Sequence, residues 1–530
     1  MKLSQFREWG GTVAGGAVIV AVFSVVSRVF GLVRDRLLAS HFGAGQITDA
    51  YYAAFRLPDF VFQTLVLGAL ASAFIPVFVQ AYHRNREDGF RMANGLTTVL
   101  FVTMGVLAAI MAIFAPLLVR VVAPGYAGEQ QALTVAMTRV MLMAVVLFAV
   151  SNVASGVLQG LRRFVAFSAA PVVYNLGLIL GIVALVPWLG PIGLAWGVVV
   201  GAMAHLIVQV IAAWRAGWQI KWLWVWQDKD MRQVWRLMLP RTLGLAAGQV
   251  NQVVITIIAS TLAAGSLSQL TWADNLQNVP TNVFGLPLAI ASFPVLAQAT
   301  ASNDTASFID TVRSNMRHIL FLVMPVAALL VVLRAHVVRV VLGAGHFDWS
   351  DTYYTAQIVG IFSVALVANS AIALLARAFY AQQNTRTPVR WAIGGVIINV
   401  ALALLLAPKF GVLGVAIATS MAAAFQAIGL SVALHLRTHI INRALLRTIG
   451  LTLMNAIVAS LVARLVLEIG QPLLALRTVW GVLGQGLAAG GVGIAVYLAL
   501  GLLTDSQDVA LLRAYWQRYS QPLRRMIRRP

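Results

Sequence analysis

Apolar runs long enough to cross a bilayer recur along the whole chain. A transmembrane helix needs roughly 20 mostly apolar residues, and runs of this kind lie near residues 12–34, 60–82, 93–119, 132–160, 166–187, 192–214, 237–264, 279–301, 317–342, 354–380, 389–408, 411–436, 446–467 and 479–503. Hydrophobic residues make up 60% of the sequence and charged residues only 10%, whereas a soluble domain carries about 25% charged residues. The pattern predicts an all-α polytopic membrane protein with about fourteen transmembrane helices.

The basic residues of the connections predict the orientation of these helices. The chain carries 38 Lys and Arg against 17 Asp and Glu, a formal net charge of +21. The positive residues concentrate in every second connection, whereas connections such as 188–191 and 265–278 have none. Because Lys and Arg mark cytoplasmic loops, we expect a multi-pass protein of the cytoplasmic (inner) membrane with both termini in the cytoplasm. The scattered distribution does not resemble a nucleic-acid-binding face, and the basic tail at 505–530 is expected to bind acidic lipid headgroups.

The sequence also repeats itself. FIPVFVQAY at 74–82 parallels SFPVLAQAT at 292–300, and GPIGLAWG at 190–197 parallels GVLGVAIA at 411–418. Two parallel six-helix lobes that rock around a central substrate are a known transporter plan. Duplication without transport is the alternative, and charges between the halves argue against it. The predicted domains are an N-terminal six-helix lobe (1–215), an interfacial linker helix rich in Trp and basic residues (216–236), a C-terminal six-helix lobe (237–437), two accessory transmembrane helices (438–504) and the basic cytoplasmic tail (505–530).

A group of charged residues interrupts the apolar pattern early in the chain. Its members include Arg28, Arg34, Asp35, Asp49 and Arg56. Ionisable side chains within a membrane are costly, so they usually face a bundle interior or a wet cavity and mark a transport pathway. If the helix that carries Arg28 and Arg34 opens into a cavity, their guanidinium groups can bind a phosphate or diphosphate bidentately. The alternative is that the charges around Arg34 lie at the membrane interface and reach toward the headgroups.

Motifs for ATP-driven transport or for catalysis are absent from the sequence. It contains no Walker motif, dinucleotide fingerprint, zinc motif or Ser-His-Asp pattern in a suitable context, and it has no cysteine. The acid pairs Asp228 with Asp230 and Asp348 with Asp351 lie in short loops or interfacial segments, and we interpret them as solvated acids rather than metal ligands. We therefore expect a transporter and not an enzyme, with no metal and no cofactor.

Several blocks of sequence resemble one family. These blocks are SRVFGLVRD at 27–35, FGAGQITDAYYAAFRLPD at 42–59, SAFIPVFVQAY at 72–82 and ALLARAFYAQQNTRTPV at 373–389. They resemble the MurJ/MviN family, the lipid II flippases of bacterial cell-wall synthesis. The resemblance is ordered and extends from about residue 12 to about residue 500. It implies that Arg28, Arg34 and Asp49 lie around a central cavity and that Arg377 is the functional arginine of the tenth helix.

The chain departs from the family pattern at other positions. Where the family has two arginines after the Leu-Pro of its second helix, this chain has Phe62 and Gln63. Where the family reads Ala-Asp-Arg or Ala-Gln-Arg after its seventh helix, Asp274 is followed by Asn275. Two cationic contacts to a pyrophosphate are therefore missing, and Arg241, at the predicted cytoplasmic start of the seventh helix, is predicted to replace one of them. The predicted substrate-binding set is Arg28, Arg34, Asp35, Asp49, Arg56, Arg241, Asp274, Asn275 and Arg377.

The predicted function is translocation of lipid II, an undecaprenyl-pyrophosphate-linked peptidoglycan precursor, by alternating access. Arg28, Arg34 and Arg56 would bind the pyrophosphate, Asp49 would orient an arginine or couple a cation, and the last two helices would hold the lipid tail. Two alternatives stay open: export of another polyprenyl-linked oligosaccharide or a small cation, and a non-transporting scaffold for cell-wall enzymes. Na⁺ or H⁺ coupling and drive by the membrane potential also stay open. We expect a monomer whose partners are the lipid-linked sugar, membrane lipids and the cell-wall synthesis machinery.

Overall fold

The structure is built from helices. The computed structural model describes residues 13–225, 228–470 and 478–504, and these residues form no β-strand. The α-helices in chain order are α1 (Val13–Phe42), α2 (Gln46–Val61), α3 (Gly68–Arg84), α4 (Arg86–Ile113), α5 (Ala115–Val122), α6 (Gly128–Gly160), α7 (Phe164–Leu180), α8 (Val186–Leu189), α9 (Gly193–Arg215), α10 (Lys229–Ser260), α11 (Ser266–Pro280), α12 (Leu286–Ala301), α13 (Thr305–Val341), α14 (Trp349–Ala381), α15 (Arg386–Phe410), α16 (Val412–Thr438), α17 (Arg443–Gly470) and α18 (Val479–Leu503). Short π-helices lie at Phe62–Leu67, Gly181–Leu185 and Thr281–Gly285. The predicted all-α fold is confirmed.

Ten helical segments within the described ranges are long and apolar enough to cross a membrane. One of them, Phe164–Arg215, contains two of the predicted spans, because the chain turns at Gly190–Ile192 between α8 and α9. Gly190 has a φ of +66°, a left-handed conformation that glycine adopts without steric cost. The chain is therefore a multi-pass membrane protein, and the count of fourteen helices stays a prediction.

Two compact units share the described chain. The first extends to Ser268 and includes Val341–Asp348, whereas the second holds Gln269–Val340 and the residues from Trp349 onward. The first unit extends beyond the predicted lobe boundary because α10 contributes Met231 to the same core as α3 and α4. The predicted lobe boundaries were defined by the sequence repeat and not by contacts, so they stay a prediction.

The second unit brings the last two helices onto α13. Phe321 on α13, Ala456 and Ala459 on α17, and Tyr497 on α18 form one buried apolar cluster. The Tyr497 hydroxyl donates a hydrogen bond to the carbonyl oxygen of Phe321 at 2.9 Å. Because this polar atom is buried together with its partner, the contact anchors α18 at one depth along α13.

The segment between α9 and α10 is not the predicted interfacial helix. Residues 218–225 form no helix. The backbone N–H of Lys221 donates to Asn94 Oδ1 at 3.2 Å, and that of Leu223 donates to Thr98 Oγ1 at 3.0 Å. Side chains of α4 thus take the backbone donors that an interfacial helix would have used internally. The predicted helix over 216–236 is therefore absent at 218–225, whereas 229–236 is helical as the start of α10. The Trp and basic content is typical of the membrane interface, but it does not specify backbone conformation.

Candidate functional site

Arg34 is held by a neighbour on its own helix. Its Nε and Nη2 atoms donate to Asp35 Oδ1 at 2.9 and 2.7 Å. The Asp35 side chain is 4% exposed and that of Arg34 is 22% exposed. The carboxylate therefore fixes one edge of the guanidinium, while part of Arg34 stays accessible. Such charge-assisted hydrogen bonds orient a guanidinium for a further planar partner.

Asn175 of α7 completes this polar cluster. Its Oδ1 lies 3.5 Å from Arg34 Nη1, and its Nδ2 donates to Ser27 Oγ at 3.1 Å and to the carbonyl oxygen of Pro171 at 3.0 Å. The amide thus ties α7 to α1 at the charged part of α1. The sequence analysis missed Asn175, although a single amide within the apolar run at 166–187 is a signal that could have identified it.

Arg28 differs from Arg34 in having no partner among the described residues. It lies on the same helix and is exposed, and no described residue forms a hydrogen bond or ion pair with it. A guanidinium group in an apolar helix is stable only if it meets water or an anion. Arg28 is therefore the cation of this group with the greatest capacity to bind an anionic ligand.

Asp49 caps a helix. Its Oδ2 accepts a hydrogen bond from the N–H of Gly265 at 2.7 Å, and its Oδ1 accepts from the N–H and the hydroxyl of Ser268 at 2.8 and 2.7 Å. These donors belong to the start of α11, where free N–H groups favour a negative charge. Asp49 is only 2% exposed. Its partners among the described residues are backbone amides and a hydroxyl, and none of them is an arginine.

Arg56 lies on α2 close to an acid. It is half-buried, and its charge interacts with that of Asp59, one helical turn further along. The first unit contains six of the predicted site residues: these five, namely Arg28, Arg34, Asp35, Asp49 and Arg56, and also Arg241.

Three further predicted residues belong to the second unit. Asp274 Oδ2 accepts from Asn278 Nδ2 at 3.0 Å on the same helix, and the neighbouring Asn275 is half-buried. Arg377 Nη1 donates to the carbonyl oxygen of Ala373 at 2.7 Å, one turn earlier on α14. Arg377 is half-buried as well, and that bond occupies one of its five donors.

Arg241 does not lie at the start of a helix. Because α10 begins at Lys229, Arg241 is about 18 Å along it at 1.5 Å per residue. The predicted position at the start of a helix was therefore wrong, and the position of Arg241 relative to the membrane stays a prediction. The side chain of Arg241 lies outside the part of the chain that the structure describes, as does the predicted basic tail at 505–530.

Asp230 is not the solvated acid that the sequence predicted. Arg84 Nη2, at the end of α3, donates to Asp230 Oδ2 at 2.7 Å in the first turn of α10. This hydrogen bond raises the pKa of Arg84 above its ordinary value. The pair links two helices of the first unit at their polar ends.

The comparisons with known proteins identify the family. A family model described as lipid II flippase MurJ matches residues 38–483. The chain belongs to the MurJ lipid II flippase family. A relative from Rhizobium tropici, named a probable lipid II flippase MurJ, is 30% identical over 501 residues, which cover 92% of this chain and 93% of the relative.

Two solved structures share the fold. A lipid II flippase MurJ in an inward closed conformation has a TM-score of 0.76 at 22% identity, covering 92% of this chain and 98% of its own. An inward-facing MATE family transporter of the MOP superfamily has a TM-score of 0.62 at 16% identity, covering 82% and 99%. MurJ family membership and the apolar helices indicate a transporter, not an enzyme, in the inner membrane.

The chain's departure from the MurJ family arginines falls on a π-helix. Phe62 and Gln63 are the first residues of Phe62–Leu67. The ring of Phe62 lies 5.0 Å from that of Phe148, centroid to centroid, and packs against the core of the first unit. An aromatic contact therefore occupies a position at which the sequence resemblance led us to expect a cation.

Proposed function

We propose that this chain translocates lipid II, the polyprenyl-pyrophosphate-linked precursor of peptidoglycan, across the cytoplasmic membrane. The observation that carries the proposal is that one helix of a MurJ family member carries both an exposed Arg28, which has no partner among the described residues, and an Arg34 anchored by Asp35. A pyrophosphate carries several acceptor oxygens and matches the guanidinium fork. Arg28 supplies the free fork, and Arg34, oriented by Asp35, supplies the second. Arg56 adds positive charge from α2.

Translocation is proposed to proceed by alternating access between two six-helix lobes. Local geometry that recurs at equal spacing supports the repeat. Arg162 and Gln383 both have a φ of 56°, and Gly190 and Gly411, separated by the same number of residues, have φ values of 66° and 57°. Each pair occupies the connection between consecutive long helices. Rare backbone conformations at equal spacing are expected from duplicated helical units.

Two π-helices recur at a similar spacing near the start of each half. Phe62–Leu67 follows α2 and Thr281–Gly285 follows α11, and each leads into a helix that carries one of the repeated Pro motifs, at Pro76 and Pro294. Because π-helices are rare and often occur at functional sites, their matched positions support fourteen helices arranged as two lobes plus two accessory helices. With basic connections on one side, we place both termini in the cytoplasm.

An ion gradient or the membrane potential is proposed to supply the energy, without a cofactor. A net cationic site responds to the membrane potential at about 2.3 kcal/mol per charge per 100 mV. Proteoliposomes loaded with lipid II, with Na⁺, H⁺ or potential gradients imposed separately, identify the driving force. We further propose that the protein is a monomer and that it is linked to the cell-wall synthesis machinery by the substrate that both use.

The decisive experiment compares Arg28→Ala with Arg464→Ala. Arg464 is an exposed arginine on α17 whose one ion-pair partner among the described residues is Glu468 of its own helix, and its removal changes the net charge equally. We expect Arg28→Ala to abolish complementation of a flippase-depleted strain and to weaken lipid II binding, while Arg464→Ala preserves both. Full complementation by Arg28→Ala would support the scaffold hypothesis instead.

A second candidate substrate is another polyprenyl-linked oligosaccharide. The aromatic contact of Phe62, at a position where the family has a cation, favours it. Binding of the purified protein to lipid II, undecaprenyl phosphate and an unrelated lipid-linked glycan separates the two. Preference for the unrelated glycan would select the second candidate, and equal weak binding to all three would reject both.

A further inference from the structure

We propose that a cavity in the second unit binds the phosphate group of an anionic phospholipid, at a site separate from the substrate-binding residues. The cavity has a volume of about 710 Å³. It lies between the early turns of α13 and α17 and the end of α18. No residue of the predicted substrate-binding set lines it. The inference therefore does not depend on which lipid the protein transports.

The charge of the cavity selects an anion. Arg313, Arg317 and Arg447 line it, and Asp310 is the only acid among its lining residues. Among the described residues that line the cavity, three guanidinium groups and one carboxylate leave an excess of positive charge. Guanidinium groups bind phosphate oxygens through paired, charge-assisted hydrogen bonds.

Arg313 builds the wall of the cavity. Its Nε donates to the carbonyl oxygen of Ile440 at 2.7 Å and its Nη2 donates to that of His439 at 2.8 Å. Its Nη1 lies 3.9 Å from Asp310 Oδ1. These contacts hold the connection between α16 and α17 against α13. Arg313 thus fixes a positive charge in place before any ligand arrives.

Arg447 is the cation that remains available. It is exposed, on the second turn of α17, and no described residue forms a hydrogen bond or ion pair with it. Arg313, which is already held in place, and Arg447, whose donors are available, together form a suitable site for a phosphodiester. The anion is held between them without the cost of ordering both side chains.

A buried acceptor lies deeper in the cavity. Asn455 is 4% exposed, and its Nδ2 donates to Thr504 Oγ1 at 3.2 Å. The Thr504 hydroxyl donates in turn to the carbonyl oxygen of Leu500 at 2.9 Å, which fixes the orientation of the amide. Asn455 Oδ1 is buried and has no hydrogen-bond partner among the described residues. Because this oxygen is buried, a hydroxyl of the ligand can donate a hydrogen bond to it only if neighbouring side chains move.

The surroundings favour a lipid over a free phosphate. Phe321, Leu451 and Tyr497 add apolar surface to the cavity, and all three helices that form it are long and apolar enough to span a membrane. Basic pockets between transmembrane helices on the cytoplasmic side bind anionic headgroups. A ligand that offers a phosphate to the arginines, a hydroxyl to the polar end and an acyl chain to the apolar side chains is an anionic glycerol phospholipid such as phosphatidylglycerol.

Native mass spectrometry of the full-length protein in detergent, titrated with phosphatidylglycerol, tests the proposal. We expect Arg447→Ala to weaken retention of the lipid about tenfold or more, the effect of losing one charged hydrogen bond. Arg447→Lys should retain part of the affinity because its charge remains and its fork is lost. Arg464→Ala, an equal charge change on the same helix that does not line the cavity, should leave retention unchanged.

Four results would overturn the proposal. Equal losses in Arg447→Ala and Arg464→Ala would indicate general attraction to the protein's charge. Equal retention of phosphatidylcholine with the same acyl chains would exclude selection for an anion. Displacement by soluble glycerol 3-phosphate at the concentration of the lipid would identify a free-phosphate site. Displacement by lipid II would assign the cavity to the substrate. Unchanged melting temperatures of the variants exclude unfolding as the cause.

Discussion

Asp49 and Ser268 are joined by two hydrogen bonds, from the N–H and the hydroxyl of Ser268 to Asp49 Oδ1 at 2.8 and 2.7 Å. The N–H of Gly265 adds a third bond to Oδ2 at 2.7 Å. Replacing Asp49 with Ala leaves several buried donors without an acceptor, and each such group costs about 1–3 kcal/mol. We expect Asp49→Ala to lower the free energy of unfolding by about 2–3 kcal/mol, measured by SDS titration in mixed micelles.

Asp49→Asn separates capping from ion coupling. The amide keeps one acceptor oxygen and loses the charge that complements the helix N-terminus, so we expect a smaller loss of stability, about 1 kcal/mol. Transport per folded molecule should remain the same in this variant. Abolished transport at unchanged stability would instead show that the negative charge couples a cation.

The Arg34–Asp35 pair should appear as a coupling energy. Arg34→Ala, Asp35→Ala and the double variant form a thermodynamic cycle. Because Arg34 donates twice to one buried carboxylate oxygen, we expect a coupling of about 1.5–3 kcal/mol in unfolding. Asp35→Ala should also weaken lipid II binding, since Arg34 loses its orientation. Additive effects of the two substitutions would contradict both expectations.

The fold and part of the site could be predicted from the sequence. Apolar runs report helices directly because only a helix satisfies its own backbone groups in a bilayer. Arg28 and Arg34 are conspicuous because charge is rare in such runs. Of the residues around these two arginines, the sequence could indicate only Asp35, which is the immediate neighbour of Arg34.

The partners of the charged residues could not be predicted. Asp49 caps a helix that begins more than 200 positions later in the chain, and no local pattern in the sequence connects the two segments. The extended segment at 218–225 depends in the same way on Asn94 and Thr98 of a distant helix. Hydrogen bonds between distant segments override local propensity at both places.

Arg241 tests whether the missing family arginines are lost or relocated. We expect Arg241→Ala to weaken binding of a pyrophosphate lipid by about 1.5–3 kcal/mol, the range of a charged hydrogen bond. Arg241→Lys should recover only part of this loss because the guanidinium fork is absent. The measurement is lipid II affinity of the purified protein, with Arg464→Ala as the charge-matched control. Unchanged affinity in both Arg241 variants would assign the residue to the membrane interface.

Four glycines bring α9 into backbone contact with α7 and the π-helix that follows it. Gly177 approaches Gly201, and a Cβ atom on Gly181 would lie 2.6 Å from Gly197 Cα, far inside van der Waals contact. The paired Gly-x-x-x-Gly spacings are typical of closely packed membrane helices. A methyl group at Gly197 must therefore separate the helices.

We expect Gly197→Ala to lower the free energy of unfolding by about 1–3 kcal/mol, the cost of overpacking. Gly105→Ala is the matched control, because Gly105 lies on helix α4 and a Cβ there meets no atom within 4 Å. The control should be neutral or more stable by up to about 1 kcal/mol, since alanine loses less conformational entropy in a helix. SDS titration of both variants in the same mixed micelles provides the comparison. Equal stability of the two variants would show that α7 and α9 separate without cost, and that their close approach does not contribute to folding.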